Sequence, residues 1–160
     1  MPPSQLLDLS QIDLTKTLVD EAGIYEKMPH RFEFQLLDGV CHADAETKSI
    51  VTYCDVTNQD WWVRGHVPGR PLLPGVLMLE MAAQTCALMV KLWTDYEGFI
   101  GFGGVNNCKF RDSISPEPKA RLYVMGKTTD LRRRRIVADT QGMVDGRMIF
   151  EAEITGLTMG

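Results

Sequence analysis

Apolar and polar positions alternate along most of the C-terminal half of the chain. Phe99–Val105, Leu122–Gly126, Arg134–Thr140 and Met148–Leu157 all follow this period of two, the pattern of half-buried strands. Turn chemistry separates them at Ser115-Pro116-Glu117-Pro118, at Thr129-Asp130 and at Val144-Asp145-Gly146-Arg147, the last a hairpin signal. Upstream the pattern changes. From Val76 to Leu92 apolar residues fall on every helical face, which predicts a helix enclosed by protein, with Pro74 and Gly75 at its start. Ile50–Val56 predicts a further strand, and Phe32, Phe34 and Leu36, alternating with Glu33 and Gln35, predict one more after Pro29. Residues 4–27 predict one or two short helices, with Leu14, Leu18 and Ala22 at helical spacing and Ser10 and Thr15 as caps. A run of antiparallel strands with a single long helix makes an α+β protein whose sheet wraps that helix.

A chain of 160 residues, 44% hydrophobic and 24% charged, suits one core. Net charge is −4, which argues against nucleic-acid binding and against attraction to anionic membranes. Charge is uneven, however: Lys119–Arg135 carries seven basic residues against Asp130 alone. The run Val76–Leu92 is short for a membrane span and carries Glu80, so a buried helix is expected instead of membrane insertion. The N-terminus has no basic segment followed by an apolar one, and Cys41, Cys54, Cys86 and Cys108 read as free thiols, so a cytoplasmic protein is expected. Cys41-His42 lacks the further ligands a zinc site needs, and Gly101-Phe102-Gly103-Gly104 is followed by no helix, so it reads as a glycine-rich strand with a bend and not as a nucleotide loop.

The chemistry concentrates in one stretch. Gly65–Gly75 holds three glycines and three prolines in 11 residues and delivers His66 just ahead of the buried helix. Prolines stiffen such a loop and glycines let backbone approach a ligand. At the helix start, Gly75 and Val76 offer N–H groups without helical partners, suited to a developing oxyanion. Glu80 and Gln84 share one face of the helix, which sets a carboxylate in apolar surroundings where burial is expected to raise its pKa and keep it protonated towards neutral pH. His30 beside Arg31 reads as a packing or capping residue.

The segment from Gly65 to Glu80, with Ala83-Gln84 after it, resembles the signature of bacterial 3-hydroxyacyl-ACP dehydratases of the FabZ type. The likeness extends to Pro29-His30-Arg31-Phe32, to Asn107-Cys108-Lys109-Phe110-Arg111 and to Val144-Asp145-Gly146, covering roughly residues 28 to 157. It implies a hot-dog fold over residues 28–160 as a single domain, with residues 1–27 as a helical extension. It further implies a homodimer, or a trimer of dimers, whose tunnel is built from both subunits. His66 would be the base, Glu80 of the other subunit the acidic partner, and Gly75 with Val76 the donors to the thioester carbonyl. Val67, Pro74, Gln84, Trp62 and Phe102 would line the tunnel. The substrate would ride on the phosphopantetheine of acyl carrier protein, with no metal or other cofactor. Arg64 and Arg70, or Arg132 and Arg134, are candidates for docking that acidic carrier.

Departures from the family pattern lie at Val67 and at Trp61-Trp62, where phenylalanines are usual, and at Gly101, where an aromatic gate is common. Two other readings stand beside dehydration: a thioesterase on the same fold, and a non-catalytic subunit that binds acyl thioesters or the carrier.

Overall fold

The computed structural model describes residues 3–159. Its elements in chain order are β1 (Val19–Asp20), α1 (Glu21–Lys27), β2 (Gly39–Asp44), β3 (Ser49–Val56), α2 (Gly75–Trp93), β4 (Phe99–Phe110), β5 (Ala120–Arg132), β6 (Arg135–Val144) and β7 (Arg147–Met159). All seven strands join one sheet in the order β1-β2-β3-β5-β6-β7-β4, every pairing antiparallel. The sheet packs around α2, chiefly through β7 and β5.

The apolar surround of α2 explains that position. Leu77, Met78, Met81, Cys86, Ala87, Leu88, Met89 and Val90 are all buried, so the helix has almost no polar face to give to water. By length and composition alone it could cross a membrane, but it is a core helix, enclosed by the sheet. A buried hydroxyl pair ties it to the sheet: Thr85 Oγ1 donates to Met81 O, so Thr52 of β3 supplies the proton in the 2.8 Å contact between the two hydroxyls. At its end Thr94 caps Val90 O with both its N–H and its hydroxyl.

Several local expectations are corrected. The segment Phe32–Phe34 is a 3-10 turn, not a strand. Phe32 has φ +56° and is 83% exposed, and turn hydrogen bonds from Phe34 and Gln35 use the N–H groups that a strand would pair. Thr129-Asp130 lies inside β5 at a register shift, while the hairpin turns at Arg133-Arg134, with Arg132 paired to Arg135. Near the N-terminus the caps are Asp8 and Asp20, whose carboxylates accept from Ser10 and Gly23 N–H; Ser10 and Thr15 are not caps. Strand β2, which no alternation announces, is held by pairing to β3.

The N-terminal segment acts as a strap across the outer face of the sheet. Leu7, Leu9, Ile12 and Leu14 cover Cys41, Val51, Tyr53, Met125 and Met143. The buried Gln141 clamps it at both ends of its amide, accepting from Leu6 N–H and donating to Ser4 O.

Candidate active site

The loop before α2 holds His66 by its backbone. His66 N–H donates to Trp62 O, His66 O accepts from Leu72 N–H, and Leu73 N–H anchors the loop's end to Ile114 O. The imidazole is exposed, and its Nδ1 lies 2.8 Å from Leu72 O. A carbonyl can only accept, so Nδ1 carries the hydrogen and the lone pair of the neutral ring sits on Nε2. In the neutral ring Nε2 is therefore the nitrogen left free to accept a proton.

Two residues beyond the Leu73 anchor the helix begins. Pro74 O accepts from Leu77 and Met78 N–H, while the N–H groups of Gly75 and Val76 have no protein acceptor among the described residues. They face outward at the positive end of a 19-residue helix, a setting that favours negative charge. The Phe110 ring lies against Gly75, so closely that a Cβ there would stand 3.0 Å from it.

Glu80 sits one turn further on, at a cavity of about 130 Å³ with Gln84, Ala87 and the β4 residues Phe99–Phe102. Gln84 is the hub of this wall. Wholly buried, it accepts from Tyr25 Oη at 2.7 Å and donates to Phe34 O and to Glu80 Oε1, both at 2.9 Å. Tyr25 Oη in turn accepts from Leu37 N–H. His30 completes the cluster, with Nε2 3.4 Å from Glu80 Oε1 and its ring edge-on to Tyr25.

This environment reverses one expectation. Burial pushes the Glu80 carboxyl up, but the His30 contact, the Gln84 amide and the charge His30 can carry outweigh it and hold the group below the ordinary glutamate value. Glu80 is a carboxylate at neutral pH, not a stored acid.

One chain does not bring all the expected residues together. Glu80, Gln84 and Phe102 share the cavity, whereas His66, Val67, Pro74, Gly75 and Val76 do not line it. Trp62 is buried in the core and faces a different cavity with Leu73 and Met81. Arg64 and Arg70 are exposed in the His66 loop, and neither has an ion-pair partner among the described residues. Arg132 is held with Arg135 by Asp130, and Arg134 lies in the hairpin turn. His30 is the residue that sequence reasoning missed. Its signal was present in Pro29-His30-Arg31-Phe32, but nothing in the spacing places a residue 50 positions upstream beside Glu80. No group of His, Cys, Asp and Glu able to hold a metal ion occurs among the described residues.

Comparison with known proteins gives the arrangement a context. The FabA-like domain matches residues 28–153. A 3-hydroxyacyl-[acyl-carrier-protein] dehydratase FabZ of Clostridium botulinum (strain Loch Maree / Type A3) is 35% identical over 137 residues, covering 85% of this chain and 93% of the relative. The protein of the same name from Bacillus velezensis is 33% identical over 142 residues, covering 86% and 96%. Among solved structures, the dehydratase heterocomplex ApeI:P from Xenorhabdus doucetiae superposes with a TM-score of 0.72 at 12% identity, over 86% of this chain and 91% of that one. A mutant thioesterase from Pseudomonas aeruginosa does so with a TM-score of 0.65 at 18% identity, over 97% and 96%. At such identities these two likenesses concern the fold alone, which is the hot-dog fold.

Proposed function

The chain belongs to the FabA-like domain family, alongside dehydratases of the FabZ type, and from that membership we propose how it removes water from a 3-hydroxyacyl chain carried on acyl carrier protein. The observation that carries the mechanism is the His66–Leu72 hydrogen bond, which leaves Nε2 free to take a proton. That nitrogen removes the proton from the carbon between the thioester carbonyl and the hydroxyl-bearing carbon. Negative charge gathers on the thioester oxygen, which Gly75 and Val76 N–H receive. The C–O bond of the hydroxyl then breaks, and the leaving oxygen takes the proton from the imidazolium to depart as water. Glu80, as a carboxylate, accepts a hydrogen bond from that hydroxyl and aims it.

Two copies are needed to assemble this site, because His66 does not line the cavity that holds Glu80. The support for a homodimer is β4, an edge strand whose Phe99, Phe102 and Val105 are exposed beside that cavity. A second copy laid along this edge covers the apolar residues and sets the His66 of one subunit against the Glu80 of the other. Whether dimers then assemble into a trimer of dimers is a finer step of the same reading. Phe102 and Gln84 at the cavity, with Val67 and Pro74 from the His66 loop, form the acyl passage, and Trp62 lies in the core at a neighbouring cavity with Leu73 and Met81. Arg64 and Arg70, beside His66 and without an acidic partner among the described residues, suit the carrier's phosphate better than Arg132, which Asp130 already holds, or Arg134. The reaction needs no metal or redox cofactor and suits the cytoplasm, where fatty-acid synthesis draws on a soluble carrier.

The test is hydration of a crotonyl thioester, on carrier protein and on coenzyme A, followed by loss of enoyl absorbance. Wild type should turn over, and His66→Ala and Glu80→Gln should each lose ~10²-fold or more in kcat, as for removal of an acid/base group. A folded wild type that hydrates no chain length, or that releases free thiol instead, would refute dehydration.

A further inference from the structure

Glu80 has two oxygens with unlike surroundings. The Gln84 amide and His30 Nε2 both approach Oε1, at 2.9 and 3.4 Å. Among the described residues Oε2 has no hydrogen-bond or ion-pair partner. Among the described residues His30 Nδ1 is the one buried side-chain nitrogen or oxygen left without a partner, so the equally unpartnered Oε2 is not buried and opens to the cavity.

The orphaned Nδ1 also says which tautomer of the neutral His30 ring suits the contact with Glu80. With hydrogen on Nε2 alone, the ring turns that hydrogen towards the carboxylate across 3.4 Å and leaves only a lone pair unmet at Nδ1. A hydrogen on Nδ1 would strand a buried donor, the costlier arrangement. Other charges do not compete for this contact. Arg31 is turned back on Met28 O and His30 O, Tyr25 donates to Gln84, and the remaining ionisable group in the cavity wall, Cys86, is kept neutral because burial raises its thiol pKa. A histidine serving only to fill space here would bury an unmet nitrogen to no gain, where phenylalanine or leucine would bury none.

We infer that His30 is a positioning residue for Glu80: together with Gln84 it pins Oε1, so that Oε2 is the single oxygen presented to the hydroxyl of the substrate. The inference rests on the role of Glu80 proposed above. A carboxylate held at one oxygen keeps its plane and its direction, whereas one held by Gln84 alone can swing about that contact and offer either oxygen.

Two substitutions separate positioning from packing. His30→Phe keeps the ring against Tyr25 but removes the donor, and His30→Gln keeps a donor but loses the ring. Each is followed by thermal melting, by kcat and KM for crotonyl hydration, and by a ¹³C NMR titration of the Glu80 carboxyl, identified by its loss in Glu80→Gln. Positioning predicts that His30→Phe folds, loses at least about 10-fold in kcat with KM within about 2-fold, and titrates Glu80 at higher pH than wild type. His30→Gln should recover most of both. The opposite order, His30→Phe active and His30→Gln impaired, or an unmoved Glu80 titration in His30→Phe, overturns the inference. If Glu80→Gln hydrates like wild type, the role of Glu80 fails and this inference falls with it. If Glu80→Gln is inactive while His30→Phe is normal, only the inference falls. Should His30→Phe not fold, the wild-type titration decides: Glu80 below the ordinary glutamate value supports the contact, and at or above it overturns it.

Discussion

Asp38 offers a measurement of how the core beneath the active-site loop handles charge. It lies between β2 and the 3-10 turn at a cavity with Cys54, Asp55, Asp60 and Trp62. Its Oδ2 accepts the Asp55 N–H at 2.6 Å. Burial raises its pKa, the Asp55 N–H opposes the rise, and the charges of Asp55, Glu21 and Asp60 add to it, leaving the carboxyl at about 6 against an ordinary 3.8. A folded-state value above the unfolded one means that this group's favourable contribution is fully present below pH 3.8 and is lost as pH rises through 6. The full difference corresponds to at most about 3 kcal/mol. Asp38→Asn keeps the acceptor oxygen and makes the neutral form permanent. It should therefore match wild type near pH 3.5 and exceed it by about 1–3 kcal/mol above pH 7, or about 3–10 °C in Tm for a chain of this size. Thermal melts at pH 3.5, 5, 6 and 8 give the curve. Equal gains at pH 3.5 and pH 8, or none at pH 8, would refute the reasoning.

Gly75→Ala sets a methyl 3.0 Å from the Phe110 ring, so the ring or the helix start must shift. Hydration by this variant should fall about 10-fold or more in kcat with little loss of stability, because the N–H groups for the thioester oxygen move with the helix end. An unchanged kcat would remove Gly75 from that role. Deleting residues 1–14 uncovers the apolar face at Val51, Tyr53, Met125 and Met143 and leaves Gln141 without either partner. Unfolding free energy should drop by about 2–4 kcal/mol, from the partial burial of four side chains, and dye binding to exposed apolar surface should rise. A truncated protein that melts like wild type would show the strap to be ornamental.

Local pattern was enough wherever local physics decides. The all-round apolar run of α2 has one outcome, enclosure, and the alternation in β4 to β7 places their side chains on opposite faces whatever they pair with. The His66 loop was legible for the same reason: glycine, proline and the helix start act over a few bonds. Where several short-range choices lie close in energy, long-range pairing decided. Strand β2 exists because β3 pairs with it, and Phe32–Phe34 forgoes a strand because its N–H groups close a turn and Leu37 finds Tyr25 Oη. The ionisation of Glu80 belongs to this second class. Sequence supplies the burial that raises its pKa, but the two donors that reverse the shift come from α2 itself and from a residue 50 positions upstream, and only the packing of α1 and the following turn against α2 brings His30 there. Electrostatic energy depends on distance in space, which periodicity along a chain does not encode.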